Sequence, residues 1–251
     1  MKVGALIIGD ELLSGKRQDK HMQALIRILA ARGMKLTWAE YIGDDPQRIQ
    51  AALKRAFDSG DLVFSFGGIG ATPDDHTRGC AARALGLPLE VHPQARELLE
   101  ARFGAEAYPH RIKMGEYPQG SSIIPNPVNQ IPGFSYGHVN FVPGFPAMAW
   151  PMVEWVLDHL YPQLHVSEPD VERTVLALLA REGDLIDLMQ SFVDRYPELR
   201  LSCLPSFGTK DLPQHIEFGL SGKVALADIV MGELRKALSE LGYELRDKSA
   251  T

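Results

Sequence analysis

Two adjacent carboxylates stand just behind a glycine cluster in the stretch Phe64-Ser65-Phe66-Gly67-Gly68-Ile69-Gly70-Ala71-Thr72-Pro73-Asp74-Asp75-His76-Thr77. An apolar run ends at glycines, and hydroxyls and acids follow where a helix should begin. An α/β protein builds a phosphate or nucleotide site in this way, at the carboxyl end of a strand. Gly67 and Gly68 allow a tight turn and a close backbone approach to a ligand. Thr72 or Asp74 is placed to cap the helix, whose free N–H groups favour an anion. Aspartates beside a polyanion repel it unless a metal ion lies between them or they act on the ligand. Being adjacent, only one of Asp74 and Asp75 is expected to face the site, with the other bracing the loop. Plain capping is the alternative for both. The spacing fits neither the dinucleotide fingerprint nor the P-loop, which needs Gly-Lys-Ser/Thr.

A second carboxylate follows the first apolar run, in Gly9-Asp10-Glu11-Leu12-Leu13-Ser14-Gly15-Lys16. At a strand end Asp10 is costly unless hydrogen-bonded, metal-bound or open to a site. Ser14 and the Gly15 N–H are its candidate contacts, and a solvated loop is the alternative for Asp10 and Glu11. Two later loops, residues 126–134 and Pro143-Gly144-Phe145-Pro146, complete the candidates. There Asn126, Asn129 and Gln130 carry paired donors and acceptors suited to a heterocycle edge, or else to closing turns. The eight histidines show no zinc spacing; His76, within the glycine loop, is placed either to contact phosphate or to stay on the surface. No Gly-x-Ser-x-Gly elbow occurs, and Cys80 and Cys203 read as inert buried thiols.

These loops need a scaffold that brings them to one edge. Short apolar strands at 3–8, 35–42 and 62–66 alternate with helical patterns at 19–32, from Asp44 or Asp45 to 57, 74–85 and 93–105. Such alternation predicts βαβ units and a mostly parallel sheet covered on both faces. Residues 108–144 hold six prolines and predict short hairpin strands at 122–124 and 138–142, before a helix at 147–160. A linker at 161–170 leads to strand, helix, strand, strand, helix and strand at 173–179, 183–196, 199–204, 215–220, 223–241 and 243–246. That order is the ferredoxin-like βαββαβ arrangement. The expected domains are therefore 1–162 and 168–251.

The 251 residues are 45% hydrophobic and 23% charged, an ordinary globular composition. A net charge of -6 gives no electrostatic reason to expect nucleic acid. The amino-terminal apolar run is too short for a signal peptide or a membrane span, so a cytoplasmic location and no membrane partner are expected.

Taken together, Gly9 to Lys16, Gly67 to Thr77 and Pro143 to Pro146 resemble the molybdopterin-binding domain shared by the MoaB and MogA proteins and the amino-terminal part of CinA, the competence/damage-inducible protein. The CinA branch is the nearest, and residues from 166 on resemble the small domain that follows there. The resemblance stops short of the separate deamidase domain of CinA proteins, so nicotinamide-nucleotide deamidation is not expected. It implies a three-layer α/β/α domain holding a pterin phosphate or nucleotide, and a homo-oligomer. MogA-like members adenylate molybdopterin, and CinA-like members are associated with metal-dependent hydrolysis of ADP-ribose pyrophosphate.

Carried over by motif, Asp10 lies near metal or phosphate, Gly67, Gly68 and Gly70 cradle phosphates, Asp74 and Asp75 are catalytic or metal-binding, and Thr77 closes the loop. Gly9, Ser14, Thr72, Asn129, Pro143 and Gly144 complete the expected ligand-binding set. As an enzyme, the chain would use Mg²⁺, Mn²⁺ or Co²⁺ on Asp10, Asp74 and Asp75 to attack a pyrophosphate, with the N–H groups of residues 68–72 steadying the charge. The alternative is a pterin- or nucleotide-binding module without turnover. It is suggested by Asn129-Gln130-Ile131-Pro132-Gly133, where CinA proteins usually have Gly-Thr-Ala-Pro-Gly. Ala71 and Asp19-Lys20-His21 depart as well, from the usual proline and Asp-Thr-Asn. A pure interaction protein would leave the strand-end glycines and acids without a use.

Overall fold

The computed structural model describes residues 1–210 and 212–248, so residue 211 and the last three positions of the expected 168–251 domain lie outside the described residues. The chain divides into two compact units, Met1–Val166 and Ser167–Thr251.

The first unit runs β1 (Val3–Ile8), α1 (Asp10–Leu13), α2 (His21–Ala30), β2 (Trp38–Ile42), α3 (Pro46–Ser59), β3 (Leu62–Phe66), α4 (Thr77–Leu85), β4 (Leu89–Val91), α5 (Pro93–Phe103), β5 (Glu116–Pro118), β6 (Ser122–Ile124), β7 (Gly133–Tyr136), β8 (Val139–Val142) and α6 (Pro146–His159). Six strands form one sheet in the order β2-β1-β3-β8-β7-β6, parallel from β2 to β8 and antiparallel at both β7 junctions. β1 and β3 are wholly buried, as strands covered on both faces must be. Alternation then sorts their side chains. Ala5, Ile7, Phe64 and Phe66 pack with Leu25 and Leu29 of α2 and Met152, Val153 and Val156 of α6. Leu6, Ile8 and Val63 pack on the other face, against Ile49, Ala52 and Leu53 of α3 and Ala81 of α4. This gives three layers with a core on each side of the sheet.

Chain order reverses between β1 and β3, because β2 is added on one side of β1 and β3 on the other. In open α/β sheets the crevice at such a reversal, beyond the carboxyl ends of the strands, is where ligands bind. Gly9 follows β1, Gly67 follows β3 and Pro143 follows β8, so three of the sequence-marked loops leave the sheet there.

Several elements differ from the sequence expectation. β8 is not merely half of a local hairpin: Val63 to Phe66 of β3 align in parallel with Val139 to Val142. Its hairpin partner is β7, a strand of four residues that the proline-rich stretch conceals. The 74–85 helix begins only at Thr77. The Asp75 N–H donates to the Thr72 carbonyl at 3.0 Å and the Thr77 N–H to the Gly68 carbonyl at 2.9 Å, so residues 72–75 close a turn of their own. Neither Thr72 nor Asp74 caps α4; His76 stands at that position without a side-chain bond. Of the two candidate caps for α3, Asp45 serves, accepting from the Gln47 and Arg48 N–H groups at 2.9 Å each.

The second unit contains β9 (Val171–Leu178), α7 (Ile186–Arg195), β10 (Arg200–Ser206), β11 (His215–Gly222), α8 (Val224–Glu240) and β12 (Leu245–Arg246). Its sheet, β10-β11-β9-β12, is antiparallel throughout, the split βαβ arrangement. The core of this unit is its own, with Val175, Phe192, Phe218 and Leu234 buried together. Cys80 is buried and Cys203 only half-buried, and burial pushes both thiols up.

Candidate functional site

A cleft of about 420 Å³ opens beyond the ends of β1, β3 and β8. Ten of the thirteen residues in the expected catalytic and ligand-binding set line it: Gly9, Gly67, Gly68, Gly70, Thr72, Asp74, Asp75, Asn129, Pro143 and Gly144. Three do not. Thr77 is buried behind the loop, where its Oγ1 donates to the Gly67 carbonyl at 3.0 Å. Ser14 is exposed at the end of α1 and makes no side-chain hydrogen bond among the described residues. Asp10 faces the end of β2, lining a separate cavity with Tyr41 and Asp45.

Close packing shapes the floor. A Cβ on Gly67, which sits at φ 99°, would come within 2.5 Å of the Ile8 carbonyl. At Gly68, φ 68°, a Cβ would collide with the Thr77 hydroxyl. Both positions therefore require glycine. The buried Arg78 holds the loop from behind: its guanidinium donates to the Gly70 carbonyl at 2.6 Å, to the Glu116 carbonyl at 3.3 Å and to the Lys113 carbonyl.

With its carbonyls tied back, the loop leaves its donors free. The N–H groups of Gly68, Ile69, Gly70 and Ala71 meet no acceptor among the described residues, whereas the Gly67 N–H donates to Val142 and the Thr72 N–H to Asp75. Successive unpaired N–H groups in such a turn form an anion-binding concavity. Gly144 and Phe145 add the approach to α6, a helix of 14 residues with no side-chain cap at its amino end. Its dipole makes that end favourable for negative charge.

The acids divide by role. Asp75 is bound into the loop, its Oδ2 accepting from the Thr72 N–H at 2.8 Å and the Thr72 hydroxyl at 2.5 Å. Hydrogen bonding to Thr72, then to its own backbone N–H, holds the exposed Asp74 carboxyl below the usual carboxylate range. Asp10 and Asp44 clasp each other. The Asp44 N–H donates to Asp10 Oδ1 at 3.1 Å, and the Asp10 N–H to Asp44 Oδ2 at 2.9 Å. Burial raises the Asp44 carboxyl, and the negative charges of Asp10, Glu11 and Asp74 raise it further. Asp10, Asp74 and Asp75 are thus not gathered into one donor set. Among the described residues no three His, Cys, Asp or Glu side chains converge as metal ligands. A ready-made protein cage for a divalent cation does not fit these residues.

The amides of Asn126 and Asn129 are similarly engaged. Asn126 donates to the Ile131 carbonyl and accepts from the Val128 N–H, both at 3.0 Å. Asn129 accepts from the Ile131 N–H at 3.0 Å and turns its NH₂ to Met148 Sδ. The turn-closing role accounts for them. The cleft also contains residues the sequence reading did not single out for it: Arg17, Met114 and Met148. Arg17 is exposed and makes no ion pair among the described residues, so its guanidinium is free to meet an anion. A basic residue just beyond the Gly15-Lys16 turn was its only sequence signal.

Residues 4–165 match the family model described as "Probable molybdopterin binding domain". The chain belongs to this family. Among similar proteins is a CinA-like protein of Anaeromyxobacter dehalogenans strain 2CP-C, 36% identical over 172 residues. That alignment covers 65% of this chain and 42% of the relative. A CinA-like protein of Anaeromyxobacter sp. strain Fw109-5 is 34% identical across 96% of this chain and 63% of its own length. The chain thus spans less than two thirds of the length of these curated relatives. Among solved structures, the protein CinA with unknown function from Thermoplasma acidophilum aligns with a TM-score of 0.58 at 26% identity, covering 63% of this chain and 98% of that one. The molybdopterin-binding domain accounts for the first unit, and the likeness to CinA-like proteins extends over both. No helix among the described residues is long and apolar enough to cross a membrane.

Proposed function

We propose that the cleft binds the phosphate of a small nucleotide or pterin and that binding, rather than turnover, is its basic property. One observation carries this reading: four consecutive N–H groups, Gly68 to Ala71, are left without acceptors in the cleft. Unpaired donors at a concave strand end suit an anion, and the free guanidinium of Arg17 together with the amino end of α6 adds to the attraction. Glu11, Asp44, Asp74 and Asp75 oppose it, and Asp75, packed beside Gly70, has one carboxylate oxygen taken up by Thr72.

The family to which residues 4–165 belong, a probable molybdopterin binding domain, supports the same ligand class. Metal-dependent hydrolysis of ADP-ribose is the finer reading that the resemblance suggests, with Asp74 as the one carboxylate in the cleft that is both exposed and held in its anionic form. The acids offer no assembled cation site among the described residues. Titrating AMP and ADP-ribose calorimetrically, followed by an assay for AMP release with Mg²⁺, Mn²⁺ and Co²⁺, separates the two. Binding without release supports the module, and metal-dependent release would establish the hydrolase.

A further inference from the structure

The two helix layers of the first unit differ on their outer sides. On α3 that side is charged and internally paired, Lys54 with Asp58 at 3.2 Å and Arg55 with Glu40 at 2.8 Å. It is an ordinary solvated helix. On α2 the exposed positions are Gln23, Ile26, Arg27 and Ala30, and Ile26 shows 44% of its surface. Beside α2 lies α6. The Arg32 guanidinium, just past the end of α2, holds α6 through two bonds of 2.6 Å to Asp158. A groove of about 350 Å³ runs between the two helices, walled by Ala24, Ile28, Ala147, Trp150 and Pro151. The Trp150 indole N–H is buried although the residue is only half-buried, so what the ring shows to solvent is carbon. Pro151 has no N–H for the carbonyl one turn back, at Ala147, so the helix leaves that acceptor without its usual donor.

Charge is the second feature of this face. Arg27 on α2 and Glu154 on α6 also line the groove, and both are exposed. Neither makes an ion pair or a side-chain hydrogen bond among the described residues, although the charge of Glu154 is felt at Arg32. One turn further along α6, by contrast, Asp158 is satisfied by Arg32 within the chain. Apolar walls with one unpaired charge of each sign, on different helices, make a patch complementary to itself. Turned about a two-fold axis, it brings Arg27 of one copy to the partner's Glu154 and repeats the contact at the other end. A ligand of a single sign would leave the other charge unmet. Trp and Arg are also the residues on which such interfaces concentrate their energy.

We propose that the α2–α6 face is where two copies of this chain meet about a two-fold axis. Ile26 and Trp150 form the apolar centre of the contact, and Arg27 pairs with the partner's Glu154 on either side of it.

The test is sedimentation velocity of the full chain, wild-type and charge-swapped, with circular dichroism to confirm the fold of each variant. At about 100 µM, above the Kd of even a weak interface of standard size, the wild-type chain should sediment as a dimer. Arg27→Glu and Glu154→Arg each put two like-charged pairs into a two-fold contact, and each should weaken dimerisation at least about tenfold. The double variant restores opposite signs and should return the dimer to within about threefold of wild type. A monomeric wild-type chain overturns the proposal and leaves the face to a different partner. A trimer overturns it too, because a patch that meets itself closes at two. A dimer indifferent to either swap, or one that the double variant does not restore, puts the contact elsewhere on the surface and equally overturns it. Should the double variant not fold, hydrogen exchange of the wild-type chain at high and low concentration gives the answer. Protection that rises with concentration should be confined to α2 and α6; a rise confined to other elements, or no rise at all, overturns the proposal.

Discussion

At Gly68 a single missing Cβ decides whether the floor of the cleft exists. Gly68→Ala has to relieve both the left-handed backbone and the clash with Thr77 Oγ1, so the loop must shift and its N–H groups lose their common direction. We expect the variant to remain folded, as judged by circular dichroism, and to lose at least about tenfold in affinity for a phosphate ligand. His21 sets a pH dependence. Burial holds its pKa below the ordinary 6.5, opposed by its bond to Gly144 and by the charge of Asp19. A base whose folded pKa is depressed takes up its proton more readily when unfolded. Its contribution is therefore complete above the unfolded pKa and is lost as pH falls through 6.5 towards the folded value. Comparing unfolding midpoints at pH 8 and pH 5.5 should show a larger drop for the wild-type chain than for His21→Phe; equal drops would contradict this assignment. The importance of this residue was not legible in the sequence, because Gly144, Phe66 and His21 meet only through the fold.

Among the elements, legibility followed locality. Asp45 before Pro46 was readable as a helix start because capping involves only neighbouring residues. Asp45→Ala should therefore cost about 1 kcal/mol in denaturant unfolding. The start of α4 was misread because the sequence does not show that Asp75 turns back onto Thr72. The partnership of β3 with β8 was equally hidden, since Phe64 pairs with Asn140, 76 residues further along the chain, and the pairing is not local. Arg78 shows most clearly how elements shape the site. From α4 it links the glycine loop to the segment at 113–116. Arg78→Ala leaves these part-buried carbonyls without their donor, and we expect a loss of about 1–2 kcal/mol in stability. A weakened phosphate affinity should accompany it, measurable by chemical unfolding and calorimetry of the same sample.

For the molecule as a whole, the three-layer sheet and the ferredoxin-like order could be read from the alternation of apolar runs, because each strand and helix declares its own periodicity. The pocket at the sheet edge was legible as loops, though not as a shape: ten marked residues line it, while Asp10 turns to another cavity. All residues lining the cleft lie within Met1–Val166. A chain of residues 1–166 is therefore expected to keep the ligand affinity of the full chain, within about twofold by calorimetry. Loss of affinity on removal of the second unit would show that the cleft depends on it. The central claim is that the free N–H groups of Gly68 to Ala71 bind a phosphate. Its most direct test is the amide ¹H–¹⁵N spectrum of the full chain titrated with ribose 5-phosphate. The account expects saturable downfield movement of those four amide protons, absent in Gly68→Ala; unchanged resonances at ligand concentrations that saturate binding elsewhere would contradict it.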